Sequence, residues 1–171
     1  MILRALAAAV GVVATMVVMS GCSAPTPSPT AVFASEDEAF AAAEETYRAY
    51  NDAVNARWAN PGSAPDSASF LVDEALEDDL TSNREFESAG LSIVGENWIL
   101  SIEPVSSDLQ DGTVVIDTCL DVTPSRIVNA AGTDVTPADR PEHVVLRVDL
   151  VQIGDRLLIR RSAVAPEIAT C

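Results

Sequence analysis

Residues 114–122 read Val-Val-Ile-Asp-Thr-Cys-Leu-Asp-Val, and their period decides the fold. Val114, Ile116, Thr118, Leu120 and Val122 alternate with Val115, Asp117, Cys119 and Asp121. A repeat of two sends the two sets to opposite faces of a β-strand. Just upstream, Asp111-Gly112 is a pair suited to the turn between antiparallel strands. Before that turn, Trp98, Leu100 and Ile102 alternate with Ile99, Ser101 and Glu103. Downstream, a short strand is expected at Arg126–Asn129, turned by Ala131-Gly132. Val144, Leu146, Val148 and Leu150 then alternate with His143, Val145, Arg147 and Asp149. Gly154-Asp155 turns the chain into a last strand, Arg156–Val164. Period-two strands joined by short turns predict an antiparallel sheet with one face packed and the other wetter.

Upstream of Leu91 the period is helical. Ser35 with Glu38 has the spacing of a capping box, and Glu36-Asp37-Glu38 suits the positive end of a helix dipole. Phe40, Ala43, Tyr47, Tyr50, Val54 and Trp58 follow at spacings of three and four, one stripe of an α-helix. Pro61-Gly62 predicts its end near Asn60. Residues 63–69 read as loop. A second helical stretch is expected over about 70–89, in one or two pieces, with Leu71, Ala75, Leu76, Leu80 and Phe86 inward and Gly90 as its stop. Its other face carries Asp73, Glu74, Glu77, Asp78, Asp79, Glu85 and Glu87. No glycine-bearing ligand loop accompanies them, so a solvated face explains them better than a cation site. Helices grouped ahead of an antiparallel sheet predict an α+β domain.

The chain has 171 residues, 10 basic against 26 acidic, for a net charge of −16. All the basic residues are Arg. Such a chain is a poor partner for nucleic acid, whose phosphates need clustered positive charge. No GxSxG turn, phosphate loop, dinucleotide glycine pattern or metal-ligand spacing occurs, and His143 is the single histidine, at a strand start where exposure is expected. No catalytic, cofactor or metal residue is therefore assigned.

Arg4 is followed by an apolar run over residues 5–19 and by the small residues Ser20 and Gly21. The run is shorter than the ~20 residues of a membrane-spanning helix and fits the apolar region of an export signal. Met19-Ser20-Gly21-Cys22 resembles the lipobox of bacterial lipoproteins, in which the cysteine sulfur carries a diacylglycerol; Met19 stands where Leu is usual. Two acyl chains satisfy the requirement for stable anchoring. Residues 23–30, Ser-Ala-Pro-Thr-Pro-Ser-Pro-Thr, read as an extended tether. The expected organisation is a signal peptide at 1–21, a lipidated Cys22 with its tether at 22–34, and a domain at 35–171. With Cys22 acylated, Cys119 and Cys171 remain, and an even count in an exported chain favours a disulfide.

The whole pattern resembles the NTF2-like, or SnoaL-like, architecture, and more narrowly a set of actinobacterial lipoproteins. The shared features are the Cys22 lipobox, the Pro-Ser-Thr tether, Glu45-Thr46-Tyr47-Arg48-Ala49-Tyr50, Asp117-Thr118-Cys119-Leu120-Asp121, Arg140-Pro141 before a strand, and the closing Thr170-Cys171. The resemblance covers about residues 36–171. It implies a cone in which a curved sheet wraps the helices around a cavity, and it carries no single function. Tyr47 and Tyr50, three apart on one helix, are candidates to enter such a cavity, with Trp58 and Trp98 as further lining. Plain core packing explains the same four residues. Asp117, Arg147 and Arg161 are a candidate polar cluster, for which the solvated face of the sheet is the plainer reading.

The expectation is a non-catalytic lipoprotein on the outer face of the cytoplasmic membrane, anchored through Cys22 and binding a small apolar ligand or an envelope protein. One alternative is an isomerase- or dehydratase-type enzyme using a buried carboxylate with Tyr47 or Tyr50. Another is a structural or interaction module whose acidic surface selects basic partners.

Overall fold

The computed structural model describes residues 31–165 and Cys171. The expected signal peptide, Cys22 and the tether up to Thr30 lie outside the described residues. Among the described residues no helix is long and apolar enough to cross a membrane.

The first helix, α1, spans Glu36–Ala59. Ser35 caps it by accepting from the Glu38 N–H at 3.1 Å, while the Glu38 carboxylate reaches back to the Ala34 N–H at 2.7 Å. A single 3-10 turn, Ser67–Phe70, begins inside the stretch expected to be loop. The second helix, α2, spans Asp73–Ser88 and ends at Gly90, whose φ of +64° suits a residue without a Cβ.

Among the described residues six strands follow: β1 Leu91–Val94, β2 Trp98–Asp108, β3 Thr113–Asp121, β4 Arg126–Asn129, β5 His143–Ile153 and β6 Arg156–Val164. The order β2-β3-β5-β6 makes one antiparallel sheet of four strands, and β1 pairs with β4 in a second, smaller one. The domain is α+β, as the sequence predicts, with both helices against one side of a curved sheet. Register shifts at Ile99/Ser101, Pro104/Ser106 and Asp149/Leu150 supply local bends.

The alternation in residues 114–122 is realised. Val114, Ile116, Thr118 and Leu120 are buried on the helix side, in register with Leu150, Val148, Leu146 and Val144. Ala39 and Ala43 are fully buried, and such small side chains let α1 lie close over the sheet. Each large residue buried here, Ile116 for example, contributes about 1.5–3 kcal/mol relative to exposure.

Three expectations are corrected. Phe33, read as tether, is 6% exposed in the core, and the Val32 N–H donates to Leu109 O at 2.7 Å. The folded body therefore begins by Val32. Leu80, expected inward, is 47% exposed, because α2 meets the core through Ala75 and Leu76 instead, with Leu71 buried just ahead of the helix. Trp98, proposed as cavity lining, is 53% exposed: the shift between Ile99 and Ser101 turns Ile99 and Ile102 inward and leaves Trp98 and Leu100 outside.

Cys119 and Cys171 form a disulfide with their Cα atoms 5.7 Å apart. It sits on the face of β3 opposite the helices, where it ties the last residue to an interior strand.

Candidate functional site

Between α1, α2, β1 and the inner face of the sheet lies a groove of about 700 Å³. Its apolar walls include Val54, Trp58, Phe86, Ile93, Leu120 and Leu146. Polar groups enter from Tyr50 and Asn51 on α1 and from Asp79, Ser82 and Asn83 on α2. An apolar concavity with a few convergent polar groups is the usual build of a small-molecule site.

Tyr47, Tyr50 and Trp58, three of the four residues singled out for a cavity, line this groove; Trp98 does not. The helical spacing from Tyr47 to Tyr50 brings their rings together, with centroids 5.9 Å apart and planes tilted by 56°. Phe70 meets Tyr50 edge-on at 6.4 Å. Tyr47 is 2% exposed, and burial pushes its phenol pKa up to about 12. The neighbouring Thr118 pulls it part of the way back without reaching hydrogen-bond geometry, and Thr118 Oγ1 is buried with no hydrogen-bond partner. Tyr50 is raised further, first by burial, then by Tyr47 and Asp79, with Arg57 opposing. Both hydroxyls are therefore protonated, and able to donate, across the physiological range.

The strongest polar feature is an ion pair joining the two helices. Arg57 Nη1 and Nη2 donate to Asp79 Oδ2 and Oδ1, both at 2.9 Å. Asn83 Nδ2 adds a third bond to Asp79 Oδ2 at 3.0 Å. The side chains are only 22% and 11% exposed. These hydrogen bonds hold the Arg57 pKa above its ordinary value against the opposing effect of burial. The sequence reading placed Asp79 on a solvated acidic face; the structure singles it out from that face. Arg57 lies one residue from the apolar stripe of α1, and that adjacency is the only signal the sequence carried.

A second polar cluster closes one end of the groove. Asn97 N donates to Asn55 Oδ1 at 2.9 Å, and Asn97 O accepts from Asn55 Nδ2 at 2.9 Å and Asn51 Nδ2 at 3.2 Å. Ser125 Oγ donates to Asn97 Oδ1 at 3.1 Å, and Arg140 Nη2 donates to Ser125 Oγ at 2.9 Å and to Val122 O. This network pins the β1–β2 connection to α1. Two asparagines at i and i+4 beside Val54 and Trp58 were its trace in the sequence.

The other candidate cluster does not assemble as one. Arg147 holds Asp117 through two 2.9 Å bonds on the outer face of the sheet, whereas Arg161 points to Glu74 at 3.5 Å. His143 is exposed at the start of β5. Among the described residues no group of three or more His, Cys, Asp and Glu is arranged to hold a metal ion.

No family model and no curated protein matches the chain. Among solved structures it is similar to Aln2 from a Streptomyces species, with 15% identity and a TM-score of 0.46 over 76% of this chain and 91% of that one. It is also similar to the intermembrane space region of the chloroplast protein ARC6, with 15% identity and a TM-score of 0.39 over 71% and 92% of the two chains.

Proposed function

We propose that the chain is an exported lipoprotein, cleaved after residue 21 and diacylated on Cys22, whose NTF2-like domain holds a small, largely apolar molecule. The observation that carries the binding reading is the groove of about 700 Å³ with its aromatic and aliphatic walls. The lipobox-like Met19-Ser20-Gly21-Cys22 supports the anchor, and the Cys119–Cys171 disulfide is in keeping with an oxidising compartment. The test is extraction of the chain from its own membranes, followed by mass spectrometry of the polypeptide and of co-purifying small molecules. The expected result is an acylated chain lacking residues 1–21, with a bound organic molecule. A chain starting at Met1 without lipid overturns the anchor, and the absence of any bound molecule overturns the binding reading.

A second reading, an isomerase- or dehydratase-type enzyme, is favoured by one observation: the Asp79 carboxylate lines the groove and acts electrostatically on Tyr50. A base in that position would abstract a proton next to a ligand carbonyl. Asp79 is poorly set for this, because Arg57 and Asn83 already occupy its oxygens. Exchange of solvent deuterium into a bound ketone, lost in Asp79→Asn, would favour the enzyme; no exchange favours the binding protein.

A further inference from the structure

Three facts about the groove bear on what it holds, on the reading of it as a ligand site. Tyr50 is packed between Tyr47 and Phe70, yet its hydroxyl makes no hydrogen bond to any described residue. Tyr50 is half-buried on the groove wall, so its hydroxyl is free to donate to an acceptor bound there. Beside it, Arg57 uses two of its five N–H donors on Asp79, and its side chain remains 22% exposed. Finally, Arg57 and Asp79 cancel each other's charge. The remaining charged lining residue is Glu87, exposed at the rim, and the chain as a whole is at −16.

A ligand anion would enter against the net charge and find the one lining cation already neutralised. A ligand cation brought to the inner wall would find its one carboxylate, Asp79, already held by Arg57 and Asn83. Charged groups without a partner are costly to desolvate, and an oxygen acceptor meeting two donors is not. We propose that the groove selects an uncharged, ring-sized apolar molecule bearing a carbonyl or hydroxyl oxygen, which accepts hydrogen bonds from the Tyr50 hydroxyl and from the free N–H groups of Arg57. The body of the molecule lies against Val54, Trp58, Phe86 and Ile93. The Arg57–Asp79 pair then positions the donors and keeps the site electrically neutral.

The two tryptophans make this testable, since Trp58 lines the groove and Trp98 is outside it. In the full chain carrying Trp98→Phe, Trp58 is the single tryptophan reporter. It is titrated with 6-propionyl-2-dimethylaminonaphthalene, an uncharged ketone, and with 8-anilinonaphthalene-1-sulfonate, an anion of similar ring size. The ketone is expected to quench Trp58 and to bind at least about tenfold more tightly than the sulfonate. Tyr50→Phe is expected to weaken the ketone about tenfold and to blue-shift its bound emission, because the carbonyl loses a donor; circular dichroism checks that the variant is folded. If neither dye changes Trp58 emission, the ligand-site reading itself fails. If the dyes quench Trp58 but the sulfonate binds as tightly as the ketone, or Tyr50→Phe leaves ketone affinity and emission unchanged, the site stands and the assignment of an uncharged oxygen-bearing ligand is overturned.

Discussion

Removing Asp79 tests how strongly the walls of the groove are tied together. Asp79→Ala deletes two 2.9 Å bonds from Arg57 and the 3.0 Å bond from Asn83, and strands a guanidinium that is 22% exposed. Exposed ion pairs contribute about 0–1 kcal/mol, and breaking a buried one by removing a single partner costs about 3–5 kcal/mol. The pair lies between these limits, so about 2 kcal/mol is expected for Asp79→Ala and a similar loss for Arg57→Ala. The double variant Arg57→Met/Asp79→Leu leaves no charge behind and refills the volume, so it should be more stable than either single variant. Urea unfolding followed by circular dichroism measures all of these, and the Arg57→Ala/Asp79→Ala double variant closes the cycle with the two alanine singles. A coupling energy above about 1 kcal/mol is expected. If the alanine single losses add to within about 0.5 kcal/mol, the pair is not a structural tie between α1 and α2, and the positioning assigned to it above fails.

Other outcomes follow from the same structure. A Cβ built on Gly95, at φ +90°, would stand 2.2 Å from Pro124 O, so Gly95→Ala should cost more than about 2 kcal/mol in urea unfolding. The Cys119–Cys171 bridge closes a separation of 52 residues, and reduction should lower stability by roughly 4 kcal/mol, seen as a fall in the melting temperature with reductant. In alkali, Tyr47 ionises later in the folded chain, near pH 12, than at its ordinary pKa of 10 in the unfolded one. Its contribution is thus complete below pH 10 and is lost as pH rises toward 12; phenolate absorbance should rise together with unfolding, and Tyr47→Phe should flatten the decline. Thr118 Oγ1 is buried and unpartnered, so Thr118→Val should raise stability by about 1 kcal/mol in thermal unfolding.

The strands were legible because their period is enforced by a buried face. Val114, Ile116, Thr118 and Leu120 had to fall together, and the glycines at 112 and 154 marked the turns. The helix start was equally plain, since Ser35 and Glu38 carry their capping chemistry within four residues. Trp98 was misread because a register shift inside β2 interrupts the alternation, and such a shift leaves no mark in residue type. Leu80 and Asp79 were misread for a related reason. Periodicity shows that α2 has two faces but not how the helix is rotated over the sheet and α1. The groove itself depends on α1, α2, β1 and the sheet meeting at a distance in sequence. Tyr47, Tyr50 and Trp58 were visible as a stripe, whereas the partner that makes Arg57 informative lies 22 residues away.

The most direct test is native mass spectrometry of the chain released gently from its own membranes, compared with Ser82→Trp, which adds bulk at an exposed lining position of the groove. A non-covalently bound uncharged molecule on the unaltered chain, missing from the folded Ser82→Trp variant, is the predicted result. A bound molecule retained by the variant, or none on either chain, would contradict the assignment of the groove as a ligand site.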